Sequence, residues 1–158
     1  EERAQIVNFT DVYIEDKFVV IVRKEDADKY SSMAELAGKT IAAELGSSTE
    51  SVAKAELTDS KFTSLSLNAD CFTELANGKV DAVVNSKVVA QQYAVANPDF
   101  TILDLTFKTP NKNCQGCVAK GDDGFLKYVN DVIAENKDNG NFDKWIQEYS
   151  EQSAKEAQ

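Results

Sequence analysis

Short apolar runs alternate with polar, helix-patterned stretches along most of this chain. Phe18-Val19-Val20-Ile21-Val22 is continuous in apolar character, so the strand expected from about Lys17 to Lys24 is buried on both faces. Ser32 to Gly38 reads as a short capped helical turn stopped by glycine, delivering the chain into a strand from Thr40 to Glu44. A helix opens at Ser47, with Val52, Ala53 and Leu57 on one face. Phe62 to Leu67 reads as a strand, Asp70 caps a helix carrying Phe72, Leu75 and Ala76, and Val80 to Val84 is the next strand. Asn85-Ser86 turns into a helix with Val89, Tyr93 and Ala96, which stops at Asn97-Pro98 before a strand from Phe100 to Leu105. Beyond a polar stretch with Pro110, a short strand is expected around Cys117 to Lys120, then two helices. The first carries Phe125, Leu126, Val129, Val132 and Ile133 on one side; the second, after Gly140, carries Phe142, Trp145, Ile146 and Tyr149 as an amphipathic stripe read as core. Glu151 to Gln158 have little to bury and are expected to fray.

Repeated strand–helix alternation implies an α/β fold, an open and largely parallel sheet covered by helices. In such sheets ligands bind beyond the carboxyl ends of the strands, which puts Gly46-Ser47-Ser48 and Asn85-Ser86 on one rim. Ser47 and Glu50 have the spacing of a capping box, and Gly46 lets the backbone come close to whatever sits above. A helix N-terminus offers free N–H groups and positive dipole density, which favour an anion such as a carboxylate. Any strand-to-helix junction can carry such a cap, and it is the convergence of two junctions that points to a site.

Charge and cysteine content narrow the classes. A net charge of -10 with no clustered Lys and Arg argues against a nucleic-acid surface. No apolar run approaches the roughly 20 residues needed to span a bilayer. Cys114-Gln115-Gly116-Cys117 has redox or metal-ligand spacing, but one pair in a chain with 0 histidines cannot close a tetrahedral zinc site. Buried or incidental thiols are the simpler reading, with a strained disulfide as the alternative. Neither a metal nor another cofactor is expected.

Four segments carry a family resemblance: Glu1 through Tyr13, Leu36-Ala37-Gly38-Lys39-Thr40 leading to Leu45-Gly46-Ser47-Ser48-Thr49-Glu50, Leu75 through Val84, and Gly140 through Ile146. In order and spacing the chain resembles the polar amino-acid solute-binding proteins of ABC importers, which have the type II periplasmic binding-protein fold. That resemblance implies a two-lobed clamshell gripping an amino acid. Residues 1–25 would end the first lobe and form a crossover strand, 26–105 a complete second lobe, 106–150 the return crossover and C-terminal helices, and 151–158 a frayed tail. The chain begins inside the family's Thr-x-x-Arg motif, so the upstream part of the first lobe is expected to be missing. The exposed edges then left would invite dimerisation or domain swapping.

The resemblance also assigns residues. Arg3 matches the arginine that clamps the ligand α-carboxylate, and Ser47, Ser48 and Thr49 match the helix-start residues that bind it from the second lobe. Asp81 reads as a structural hydrogen-bonding group. Ser86 stands where the family commonly has an aspartate that receives the ligand α-ammonium. That half of the site is therefore weakened, rebuilt from Glu44 or Asn85, or unused. The implied function is extracytoplasmic capture of an amino acid or related small carboxylate and delivery to an ABC permease, through a lipid anchor if the missing N-terminus carries one. A sensor domain of a receptor or histidine kinase is the alternative. With no histidine as general base and no paired carboxylates, an enzyme is not expected.

Overall fold

A computed structural model describes residues 3–110 and 112–156, and the side chains of Arg3, Lys112 and residues 153–156 lie outside that description. The elements are β1 (Val7–Phe9), β2 (Ile14–Asp16), β3 (Phe18–Arg23), β4 (Thr40–Glu44), α1 (Ser48–Glu56), β5 (Lys61–Leu65), α2 (Asn68–Ala76), β6 (Ala82–Ser86), α3 (Lys87–Ala96), β7 (Phe100–Ile102), β8 (Lys112–Cys114), β9 (Cys117–Ala119), α4 (Asp123–Asp138) and α5 (Asn141–Glu156). They divide between two compact units, one of Glu1–Asp16 with Asn111–Tyr149, the other of Lys17–Pro110 with Ser150–Gln158.

The second unit is built on a five-stranded sheet in the order β5-β4-β6-β3-β7. β4 is parallel to β5 and β6, and β3 is antiparallel to β6 and β7, so four strands run one way and β3 opposes them. The sheet is parallel-rich, as expected, but Phe18–Arg23, assigned from sequence to the crossover outside residues 26–105, is one of its inner strands. Both faces of β3 are covered. Val20 and Val22 pack with Ile41, Val84, the α1 residues Val52 and Ala53, and Leu57 at its C-cap. Val19 and Ile21 pack with Ala42, Val83, the α2 residues Cys71, Phe72 and Leu75, and Ala90 of α3. The period-2 alternation of strand side chains supplies two cores from one strand.

Local chemistry explains where the elements stop. Gly46 sits at φ +74 with nothing within 4 Å of where a Cβ would be, so the left-handed turn and not a close approach requires glycine there. The expected cap of α2 differs: Leu67 is the N-cap and makes no side-chain cap bond, while Asp70 lies in the first turn. Arg23 closes the far end of α2 by donating from Nη1 to the carbonyls of Leu75 at 2.9 Å and Val80 at 2.8 Å.

The first unit has two antiparallel strand pairs, β1–β9 and β2–β8. Thr10 stitches the gap between them: its N–H donates to the Gly116 carbonyl at 3.0 Å and its Oγ1 accepts from the Gly116 N–H at 2.8 Å. Cys114 and Cys117 stand free at the end of β8 and the start of β9. The helical stripes read as core are only partly covered, since Phe125 is 52%, Trp145 41% and Tyr149 64% exposed. Two short strand pairs offer too little surface to bury two 16-residue helices. The tail expected to fray from Glu151 continues α5 to Glu156. Among the described residues no helix is long and apolar enough to cross a membrane.

Candidate functional site

The parallel pairing of β4 with β6, Ile41 against Ala82 and Ala42 against Val83, carries Glu44 and Asn85 to the same level at the carboxyl end of the sheet. Both strand-to-helix junctions read from the sequence therefore share one rim.

At the first junction Ser47 is the N-cap of α1, and its Oγ accepts from the Glu50 N–H at 3.1 Å. The same hydroxyl donates to the Glu44 carbonyl at 2.6 Å and lies 2.6 Å from Thr49 Oγ1. Ser47 is thus engaged within the turn, and Thr49 is buried against it. Ser48 is exposed, and its hydroxyl makes no hydrogen bond among the described residues. The backbone N–H groups of Ser48 and Thr49 likewise have no acceptor among the described residues, as the geometry of a helix start dictates. They are the donors this turn leaves for an anion.

Glu50 completes the capping box one residue further out than the simple pattern, accepting from the Gly46 N–H at 2.7 Å. Its other oxygen accepts from Lys54 Nζ at 2.6 Å and from the Ser64 hydroxyl. These donors, the Lys54 ammonium first, then Ser64 and Gly46, pull the carboxyl from 4.5 down to about 2. A depressed carboxyl stabilises the fold fully above its unfolded value and loses that contribution as pH falls through the folded one. Unfolding stability should therefore drop as pH falls from 4.5 toward about 2, and Glu50→Gln should show a smaller drop over that window in denaturant titrations.

At the second junction Ser86 is the N-cap of α3 and is 6% exposed, its Oγ accepting from the Val89 N–H at 3.4 Å. The Ser86 N–H donates to Asn85 Oδ1 at 2.8 Å, and Asn85 Nδ2 donates to Asn68 Oδ1 at 2.6 Å. Asn68 Nδ2 in turn donates to Glu44 Oε2 at 3.0 Å. Glu44 is half-buried, and its Oε1 carries no hydrogen bond among the described residues. Leu45 and Leu67 stand exposed on the same rim, and the Leu45 N–H extends the β4–β5 pairing by donating to the Leu65 carbonyl at 2.8 Å.

Of the residues named from sequence, Glu44, Ser47, Ser48, Thr49, Asn85 and Ser86 gather at this rim. Arg3 opens a short 3-10 helix before β1, and its side chain lies outside the described residues. Asp81 accepts from the Thr40 N–H at 2.8 Å. Asn68 was missed, although the alternation already predicted a third strand-to-helix junction in its vicinity.

The profile of bacterial extracellular solute-binding proteins, family 3, matches residues 1–152. The chain belongs to that family. The ABC transporter arginine-binding protein 1 of Escherichia coli strain K12 is 27% identical over 146 residues, an alignment covering 90% of this chain and 59% of that protein. An amino acid ABC transporter substrate-binding protein, AbpA, from Streptococcus pneumoniae Canada MDR_19A, solved bound to L-arginine, superposes with a TM-score of 0.79 at 32% identity, covering 98% of this chain and 65% of that one. The ancestral amino-acid-binding protein described as a precursor of cyclohexadienyl dehydratase superposes with a TM-score of 0.73 at 31% identity, covering 93% and 63%. The chain thus spans about three fifths of the length of these relatives, all of them binding proteins by name. The strand-and-helix order of the second unit is the α/β, type II binding-protein architecture inferred from sequence.

Proposed function

We propose that this protein is an extracytoplasmic receptor that captures a small polar amino acid and presents it to the permease of an ABC importer. Family membership supports the solute-binding role. The observation that carries the ligand class is the pair of unpartnered N–H groups at Ser48 and Thr49, which suit a carboxylate. On this reading those two groups and the Ser48 hydroxyl hold the α-carboxylate, and Ser47 and Thr49 Oγ1 hold the turn. Glu44 receives the α-ammonium through its open Oε1, supplying the charge that Ser86 lacks, and Asn85 braces the rim. Leu45 and Leu67 offer apolar surface to the ligand's carbon chain.

Binding without turnover is the reading the side chains favour. The chain has 0 histidines, and of the two rim carboxylates described above only Glu44 has an open oxygen, Glu50 being held by Lys54, Ser64 and Gly46, so proton transfer lacks its usual pair. Since one relative is a precursor of a dehydratase, absence of product from prephenate is the check on this point.

L-arginine is the first ligand to test. In a two-dimensional amide NMR titration at millimolar concentrations, the N–H signals of Ser48 and Thr49 should shift with L-arginine and stay in place with agmatine, which keeps the guanidinium and lacks the carboxylate. Equal shifts with both, or none with either, would remove the carboxylate site.

A further inference from the structure

We propose that Asn68 is a positioning residue that aims the Glu44 carboxylate at the ligand ammonium and so sets the preference for ligands carrying that charge. The inference rests on the reading of Glu44 given above.

The argument is one of donor and acceptor polarity along a relay. A backbone N–H can only donate, so the Ser86 N–H turns the Asn85 amide with Oδ1 toward it at 2.8 Å. The Asn85 NH2 group is then forced to face Asn68, where it finds Oδ1 at 2.6 Å. That contact turns the Asn68 NH2 group toward β4, where it meets Glu44 Oε2 at 3.0 Å. A main-chain donor in β6 thus dictates, through two amides, that the end of β4 must present an acceptor. Asn85 is buried at 3% exposed, which holds the middle of the relay in one orientation. Asn68 is the first residue of α2 and Glu44 the last of β4, so the relay ties three elements at the rim.

The consequence falls on Glu44. Ala42 lies in the α2 and α3 core, and the strand period puts Glu44 on that same face, two residues on. Untethered, a half-buried glutamate at a sheet end would sample several rotamers reaching into water. With Oε2 held by Asn68, Oε1 is left as one oriented acceptor, and the ordering cost is met before the ligand arrives. Leu67 is the N-cap of α2 and Asn68 the first helical residue, and the Asn68 side chain meets Glu44 and Asn85 and makes no cap bond, so the polarity of position 68 is not explained by a side-chain cap.

The test compares L-arginine with 5-guanidinopentanoate, the same molecule without its α-ammonium, by NMR or calorimetric titration of the whole chain. Asn68→Leu should cut the preference for L-arginine about fivefold, the scale of one ordinary hydrogen bond lost at one remove from the ligand, and leave affinity for 5-guanidinopentanoate unchanged. Glu44→Gln should cut the preference further, and in that variant the side-chain NH2 signals of Asn68 should move. If Glu44→Gln lowers the preference and Asn68→Leu does not, the positioning role is overturned while the receptor site stands. If Asn68→Leu weakens both ligands alike, Asn68 acts on stability alone and the proposal also fails. An unchanged preference in Glu44→Gln overturns the ammonium reading itself, whereas agmatine tests the carboxylate site separately. Asn68→Ser, too short to reach Glu44 and favourable near a helix start, repeats the measurement if the leucine variant does not fold.

Discussion

Ser86→Asp should tighten binding of L-arginine by about tenfold, and Glu44→Gln should weaken it by a similar factor, as expected for gaining or losing a charge-assisted hydrogen bond at a partly desolvated site. The aspartate can be accommodated. Ser86 has the extended backbone of an N-cap, φ -69 and ψ 149, and aspartate serves that position as well as serine does. The start of α3 also favours an added negative charge through its dipole. Ser86 is almost fully buried at the rim, so a carboxylate there would meet an ammonium with little screening by water. The two substitutions act in opposite directions on one ligand group, and isothermal titration of both variants reads them against the parent. If Ser86→Asp abolishes binding of L-arginine, its α-ammonium does not lie at position 86.

Arg23→Met should destabilise the second unit by about 3 kcal/mol, the scale for removing one partner of a buried ion pair. Arg23 side-chain exposure is 19% and that of Asp26 10%, and the pair is bonded through Nη2 at 2.7 Å and Nε at 2.9 Å. The Lys29 ammonium, 2.5 Å from the other oxygen, and Arg23 together hold the Asp26 carboxyl below its ordinary range against the opposing effect of burial. Removing Arg23 strips Asp26 of its less exposed partner and leaves the Leu75 and Val80 carbonyls without their guanidinium donor. Denaturant midpoints of Arg23→Met, Asp26→Asn and the double variant give the coupling directly. A loss under about 1 kcal/mol in Arg23→Met would mean that the network contributes no more than an exposed pair. Because Arg23 lies at the end of β3 remote from Ser86, whose partner in the ladder is Phe18, ligand preference should be unaffected in the folded fraction.

Several features were legible from local pattern alone. The capping spacing of Ser47 and Glu50, the glycine turn at Gly46 and the apolar faces of α1 and α2 depend on residues within a turn or two, and all appear in the structure. The shared rim was legible because parallel strands followed by helices bring every such junction to one edge. The family motifs carried the fold class across nearly the whole chain.

What only the tertiary structure decided depends on partners far apart in sequence. Phe18–Arg23 is apolar enough for any inner strand, and pairing with β6 and β7, 60 residues and more downstream, is what puts it antiparallel inside the sheet. Ser47 looked like a ligand group because its type and place fit, yet its hydroxyl is satisfied by Glu44, Thr49 and Glu50, leaving Ser48 open. Trp145 and Tyr149 have core-like spacing, but spacing states only that a helix has an apolar face; whether that face is covered depends on how much surface the rest of the unit can offer. Asn68 is an unremarkable polar residue at a helix start, and its link to Glu44 and Asn85 exists because strand register brings positions 24 and 17 residues away to within hydrogen-bond reach. Periodicity and capping are properties of neighbours along the chain and can be read from it, whereas the partner of a buried polar group is set by register and crossover, which no local window contains.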